Sequence, residues 1–189
     1  MSATQKIVAG QSFMIGCCVF YLLWWRLSYH PGVAVSRVSG INGLLFAFTV
    51  FFGIAGVVLS LSGSGALPAV HPRRLKTAQV LIGGVIAYIV LLGITTARFH
   101  RPVTTELFLI TAWAMMEVSV LNALEGAAVI TPGRCTAGFF IIAAAAAMSL
   151  VLYVLYYRMA PMRAFYAAMV PLITEGISMG AVLALILCP

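Results

Sequence analysis

The chain has 189 residues, 63% hydrophobic and 8% charged, with a formal net charge of +7. A soluble domain carries about 25% charged residues, so the composition points away from one. Asp is absent, which removes Asp-based metal and phosphate sites, aspartic-protease dyads and triads built on Asp. The basic residues fall singly or in small groups between apolar runs. They read as loop anchors at a membrane surface, not as the clustered face that nucleic acid requires.

Six apolar runs are long enough to cross a hydrocarbon core about 30 Å thick. They are continuous, so they predict helices; a barrel would alternate over runs of about ten residues. The first extends from about Ile7 to Trp25 and is expected to be a retained span, since no small-residue cleavage site follows it. The second covers about Ile41 to Leu61 and is rich in Phe and Gly. The third covers about Thr77 to Ala97, where Gly83-Gly84 predicts close helix packing and Gln79 and Tyr88 are candidates to line a cavity. The fourth covers about Thr104 to Leu124, the fifth about Thr136 to Tyr157, and the sixth about Phe165 to Cys188.

Pro and Gly turn signals separate the runs, at Pro31-Gly32, Gly63 to Pro68, His71-Pro72, Pro102, Pro132-Gly133 and Pro161. Trp24, Trp25, Tyr153, Tyr156 and Tyr157 lie beside Arg residues, as interfacial aromatics do. All connections are short. The expected fold is therefore all-α: a polytopic integral membrane protein with six transmembrane helices in one bundle, residues 1–189 forming a single domain, in the cell (plasma) membrane.

Six spans place both termini on one side. Lys6, Arg73, Arg74, Lys76 and Arg134 would share that side, and Arg26, Arg37, Arg98, Arg101, Arg158 and Arg163 the other. The positive-inside rule leaves the orientation open. Pro31-Gly32 and Pro132-Gly133 hint at two inverted halves, but the runs align poorly, with Gly16 falling opposite Glu117.

The acids are Glu106, Glu117, Glu125 and Glu175. Glu175 has apolar sequence on both sides, which places it near the bilayer centre, where an ionisable side chain marks function unless it is paired between helices. Around it, Pro171 removes the helical partner of the Ala167 carbonyl, Gly176 and Gly180 make a small-xxx-small face, and Thr174 and Ser178 add hydroxyls. Pro171, Gly176 and Gly180 are the candidate hinge. Glu117 lies near the centre of the fourth run, with Trp113 one turn before it on a stripe shared with Glu106 and Leu124. The fourth and sixth spans run in the same direction, so Glu117 and Glu175 are expected at similar depth, facing one cavity if their helices are neighbours. Thr111, Met115, Ser119 and Asn122 form a second stripe, read as a hydrogen-bonding helix interface.

A paired acidic site admits proton exchange, recognition of a cationic group, or acid–base chemistry. The leading expectation is a transporter or channel for a small molecule or ion, with Glu117, Glu175, Trp113, Thr174 and Ser178 as substrate- or proton-binding residues. The alternatives are an intramembrane enzyme acting on a lipid, using Glu106, His100, Arg98 or Arg101, and a non-catalytic subunit of a larger complex. No catalytic set, metal site or cofactor is expected. His30 and His100 could meet near Glu106, but His71 lies on the other side. Adjacent Cys17 and Cys18 diverge by about 100° on a helix and read as packing. Cys135 and Cys188 fall on one side and could form a disulfide in an oxidising compartment. Membrane lipids are the expected partners, nucleic acid is not, and a homo-oligomer is compatible with the sequence.

Overall fold

The computed structural model describes residues 1–30, 39–99, 105–156 and 158–188. All regular structure among them is helical. Ser2 opens α1 (Ala3–Tyr29): its hydroxyl accepts from the Gln5 N–H at 3.2 Å, and the Gln5 side-chain oxygen accepts from the Ser2 N–H at 2.8 Å. This reciprocal capping box starts the helix ahead of the apolar run. There follow α2 (Ser39–Ala66), α3 (Thr77–Phe99), α4 (Thr105–Gly126), α5 (Pro132–Tyr156), the short α6 (Pro161–Ala167) and α7 (Val170–Leu187). With α6 and α7 taken together as Pro161–Leu187, six helices among the described residues are long and apolar enough to span a membrane.

The sixth run is interrupted at Ala168 and Met169, between α6 and α7. Pro171 lies just beyond, in the first turn of α7, where a missing N–H costs nothing. Gly176 and Gly180 lie inside continuous α7. A Cβ on Gly176 would come 3.7 Å from Cys18 Cβ, whereas one on Gly180 would meet nothing within 4 Å.

The tightest packing joins α1 and α2. Gly53, Gly56, Ser60 and Gly63 recur every three or four residues and so share one face of α2. A Cβ on Gly63 would lie 2.8 Å from the Ala3 carbonyl, one on Gly56 2.6 Å from Met14 Cγ, and one on Gly53 3.2 Å from Cys17 Sγ. From the other side, a Cβ on Gly10 would meet Ser60 Oγ at 2.3 Å and the Ser60 backbone nitrogen at 2.6 Å. The register is that of an antiparallel hairpin held at backbone contact, as small residues permit between apolar helices. Phe13, Phe20, Phe48 and Phe52 pack edge and face along the same hairpin.

The packing order closes a ring. α1 lies against α2 and α7, α2 against α4, α4 against α5, and α5 against α7. α3 lies outside this ring on α4, where Met115 occupies the space a Cβ on Gly84 would need. Buried side chains fill the ring interior: Ile7 and Gln11 of α1, Glu117, Leu121 and Leu124 of α4, and Met179 and Val182 of α7. At the opposite end of α1, Trp25 and His30 pack on Phe165 of α6, with ring centroids 6.3 and 5.3 Å apart.

At the end carrying the N-terminus, the segment between α2 and α3 is tied to α4. The Val70 and His71 N–H groups both donate to the Gly126 carbonyl at 2.8 Å. The side chain of Asn122 accepts from the Leu75 N–H and donates to the Leu75 carbonyl. α4 ends with Val129 N–H donating back to Leu124 O at 2.9 Å and with Ala128 at φ 56°. That is a left-handed C-terminal cap, a position that favours glycine.

Two expectations follow. Gly10→Val should overpack the α1–α2 seam against backbone at a cost of about 1–3 kcal/mol or more. It should lower the yield of monodisperse protein in detergent, whereas Gly65→Val, at a site with nothing within 4 Å, should not. Ala128→Gly should relieve a left-handed penalty of about 1 kcal/mol and raise the thermal midpoint by roughly 2–4 °C, read by following unfolding in detergent.

Candidate functional site

Glu117 is fully buried, at 0% exposure, and so is Gln11 of α1. The Gln11 side-chain N–H donates to Glu117 Oε1 at 2.9 Å. The other oxygens of the two groups, Glu117 Oε2 and Gln11 Oε1, are buried and lack a partner. Trp113, one turn before Glu117, is 6% exposed, and its indole N–H is likewise unpartnered. Ser60 Oγ, against Gly10, is a fourth buried polar atom without a partner. Such groups are rare in well-satisfied interiors and mark places that call for a further partner. These four belong to helices of the ring; elsewhere among the described residues His30 Nδ1, Asn42 Oδ1 and Glu125 Oε2 are also buried without a partner. Among the described residues the only ion pair joins Arg74 to Glu125, so no basic side chain pairs with Glu117.

Glu175 is placed differently. It is half-buried on α7, and its carboxylate lies within electrostatic range of the Cys18 thiol. Gln11 and Cys18 share one stripe of α1 and are seven residues, about 10 Å, apart along it. The two glutamates therefore address one face of α1 about two turns apart. They are not partners of each other: the hydrogen-bonding partner of Glu117 is Gln11, and α4 and α7 have no substantial packing between them. Trp113, Cys18 and Met179 belong to one buried cluster, which fills the space between the two levels.

The hydroxyls near Glu175 serve mainly their own helix. Thr174 Oγ1 donates to the Pro171 carbonyl and Ser178 Oγ to the Glu175 carbonyl, each at 2.8 Å. Thr174 also reaches Ser149 Oγ of α5 at 3.4 Å. On α4, the stripe of Thr111, Met115, Ser119 and Asn122 divides. Thr111 and Ser119 bond carbonyls of α4 itself, Met115 packs on Gly84, and Asn122 alone reaches across, to Leu75. Gln79 accepts from the Lys76 N–H and caps α3.

Gln11 is the site residue that the sequence reading missed. Its signal was available: an amide within the first apolar run, two turns from Cys18. The α2 seam was also visible as the spacing of Gly53, Gly56, Ser60 and Gly63.

The remaining candidates stay apart. Among the described residues no three His, Cys, Asp or Glu side chains come together. His30 packs edge-on against Phe165. His100, Arg101, Arg37, Pro31-Gly32, Pro102, Tyr157 and the side chains of Arg98 and Glu106 lie outside what is described. The four cysteines are free. Cys17 faces Gly53, and the Cys135 thiol donates to the Leu121 carbonyl at 3.8 Å. Arg134 donates to the backbone carbonyl of Cys188.

A cleft of about 350 Å³ lies at the end carrying the N-terminus, bordered by His71, Glu125 and residues 128–132. Arg74 closes one flank, bonding Glu125 Oε1 at 2.7 Å, Thr136 Oγ1 at 2.9 Å and the Pro132 carbonyl at 3.1 Å.

No protein-family model matches the chain, and no curated protein or solved structure matches it.

Asn122, 3% exposed, should matter more to stability than Arg74, whose side chain is 39% exposed. Asn122→Ala leaves both backbone groups of Leu75 without their partner and should cost about 1–3 kcal/mol. Arg74→Ala removes a partly exposed pair and should cost under about 1 kcal/mol. Parallel unfolding curves in detergent check the order.

Proposed function

We propose that this chain is an integral membrane protein that moves a small solute across the bilayer, with Glu117 and Glu175 as the acidic groups that carry protons or recognise a cationic centre. The observation that carries the reading is Glu117: a fully buried carboxylate with one oxygen on Gln11 and the other without a partner. A structural carboxylate between helices is expected to fill its acceptor positions. One left open in an apolar interior is better matched to a group that comes and goes.

Three further features support it. Leu81, Ile82, Val85, Ile86, Ile89 and Val90 of α3 are exposed along one face, an apolar surface suited to lipid. The break at Ala168 and Met169 precedes Glu175 by about two turns, and interrupted helices beside a polar site are a transporter device. The ring of five helices surrounds the Gln11–Glu117 bond, and the hairpin seam gives α1 a close-packed backing.

The test is solute-driven proton movement in proteoliposomes, with a panel of cations, amines and small neutral solutes. Wild-type protein should show solute-dependent flux. Glu117→Gln should abolish it, about 100-fold or to background, since proton carriage by a positioned acid is worth 10²–10⁴-fold in comparable steps. Glu175→Gln should reduce it as well. Full flux in both variants would overturn the reading.

A further inference from the structure

We propose that the cargo of the Gln11–Glu117 pair is a proton, bound on Glu117 Oε2 and held toward Gln11 Oε1. This rests on the transport reading for its purpose, but not for its chemistry. Each unpartnered oxygen shares a carbon with an atom of the single 2.9 Å bond: Oε2 with the accepting Oε1 of Glu117, and Oε1 of Gln11 with the donating Nε2. The two therefore flank that bond, and both are acceptors. With the carboxylate ionised, Glu117 Oε2 and Gln11 Oε1 are two buried acceptors without a donor. One proton changes the count. A carboxylic acid offers one O–H donor and keeps an acceptor, so acid and carboxamide can pair reciprocally, N–H to Oε1 and O–H to the amide oxygen. A turn of either head group closes the second bond, or one water bridges it.

Charge points the same way. Among the described residues, the elements packed around the pair carry Lys6, Cys17, Cys18, Tyr21, Arg26 and Tyr29 on α1, Glu125 on α4, Arg134, Cys135, Tyr153 and Tyr156 on α5 and Glu175 on α7, and α2 has none. None of the cations among them forms an ion pair with Glu117; the one ion pair among the described residues is Arg74–Glu125. The Trp113 indole is a neutral donor on the same face of α4. It could bond a water or an oxygen but brings no charge. A buried anion without a counter-charge is strongly disfavoured, and uptake of one proton removes the charge and supplies the donor in a single step. The step balances: hydronium gives its proton to the carboxylate, an O–H bond forms at Oε2, and water is released.

Gln11 is then a positioning residue. Its amide selects for a ligand that donates one hydrogen bond and occupies no volume of its own. A metal ion would want several oxygens around it, whereas the pair presents two open ones.

Infrared difference spectroscopy on the purified full-length chain tests this independently of transport. The wild type should show a carboxylic acid C=O stretch that is lost in Glu117→Gln and moves to higher frequency in Gln11→Leu, where the carbonyl loses its donor. If Glu117→Gln does not fold, the shift in Gln11→Leu, in a chain that keeps its carboxyl, still reads the pairing. Loss of a carboxylate band instead, or a band that moves when Na⁺ replaces K⁺, would mean that Glu117 holds a charge or a metal cation, and would overturn the proposal. A C=O stretch that responds to neither substitution would also overturn it. If the acid band behaves as expected while Glu117→Gln proteoliposomes retain full flux, the proton site stands and the transport reading fails.

Discussion

A glutamate at 0% exposure, with no ion-pair partner among the described residues, is the constraint around which the interior is arranged. α1 and α4 have no substantial backbone approach of their own. What joins them is the Gln11–Glu117 bond, together with the apolar side chains of Ile7, Leu121 and Leu124. Gln11 can reach Glu117 only if α1 is fixed in depth and rotation. The seam on α2 provides that: Gly10 touches the Ser60 backbone, so the neighbouring Gln11 is turned about 100° away, toward the ring interior. A slip of one residue along the seam would set side chains against glycines and rotate Gln11 out of reach. The close glycine packing at one surface of α1 thus sets the polar contact at another.

The helices were legible because each is a continuous apolar run bounded by Pro, Gly or charge, and periodicity is not needed to find them. The helices extend beyond the runs through features that hydropathy does not register. The Ser2–Gln5 box lengthens α1, and Pro132 starts α5 at its first turn. The ring order was not legible. Apolar residues surround each span, because lipid and protein interior are equally greasy, so the face that packs cannot be read from hydrophobicity. Small residues carry that information, and they do so at Gly53, Gly56, Ser60 and Gly63.

Of the candidate site, the acids and Trp113 were legible, and Gln11 and the pairing were not. Glu117, Trp113 and Glu175 stand out as polar or amphipathic groups within apolar runs. Matching depth made a direct pair of glutamates attractive, yet depth says nothing about which helices are neighbours. α1 stands between them, presenting Gln11 to one acid and Cys18 to the other. Pro171 signalled the interruption of the last run, but the break falls at Ala168 and Met169 because a proline is tolerated in a first turn and excludes the turn before it.

That placement gives the two acids unequal mechanical settings. Glu117 lies on an uninterrupted helix, 0% exposed, fastened by Asn122 to the α2–α3 segment and by Arg74 through Glu125. Glu175 is half-buried on α7, whose first turn is separated from α6 by two residues outside any helix. The backbone of Ala168 and Met169 stays in the right-handed helical region, and α6 is held where the Trp25 indole N–H donates to the Phe165 carbonyl. Met179 of α7 and Trp113 of α4 belong to the same buried cluster. One acid near the α6–α7 junction and one on an anchored helix thus stand about two turns apart along a single stripe of α1, the first beside Cys18 and the second bonded to Gln11.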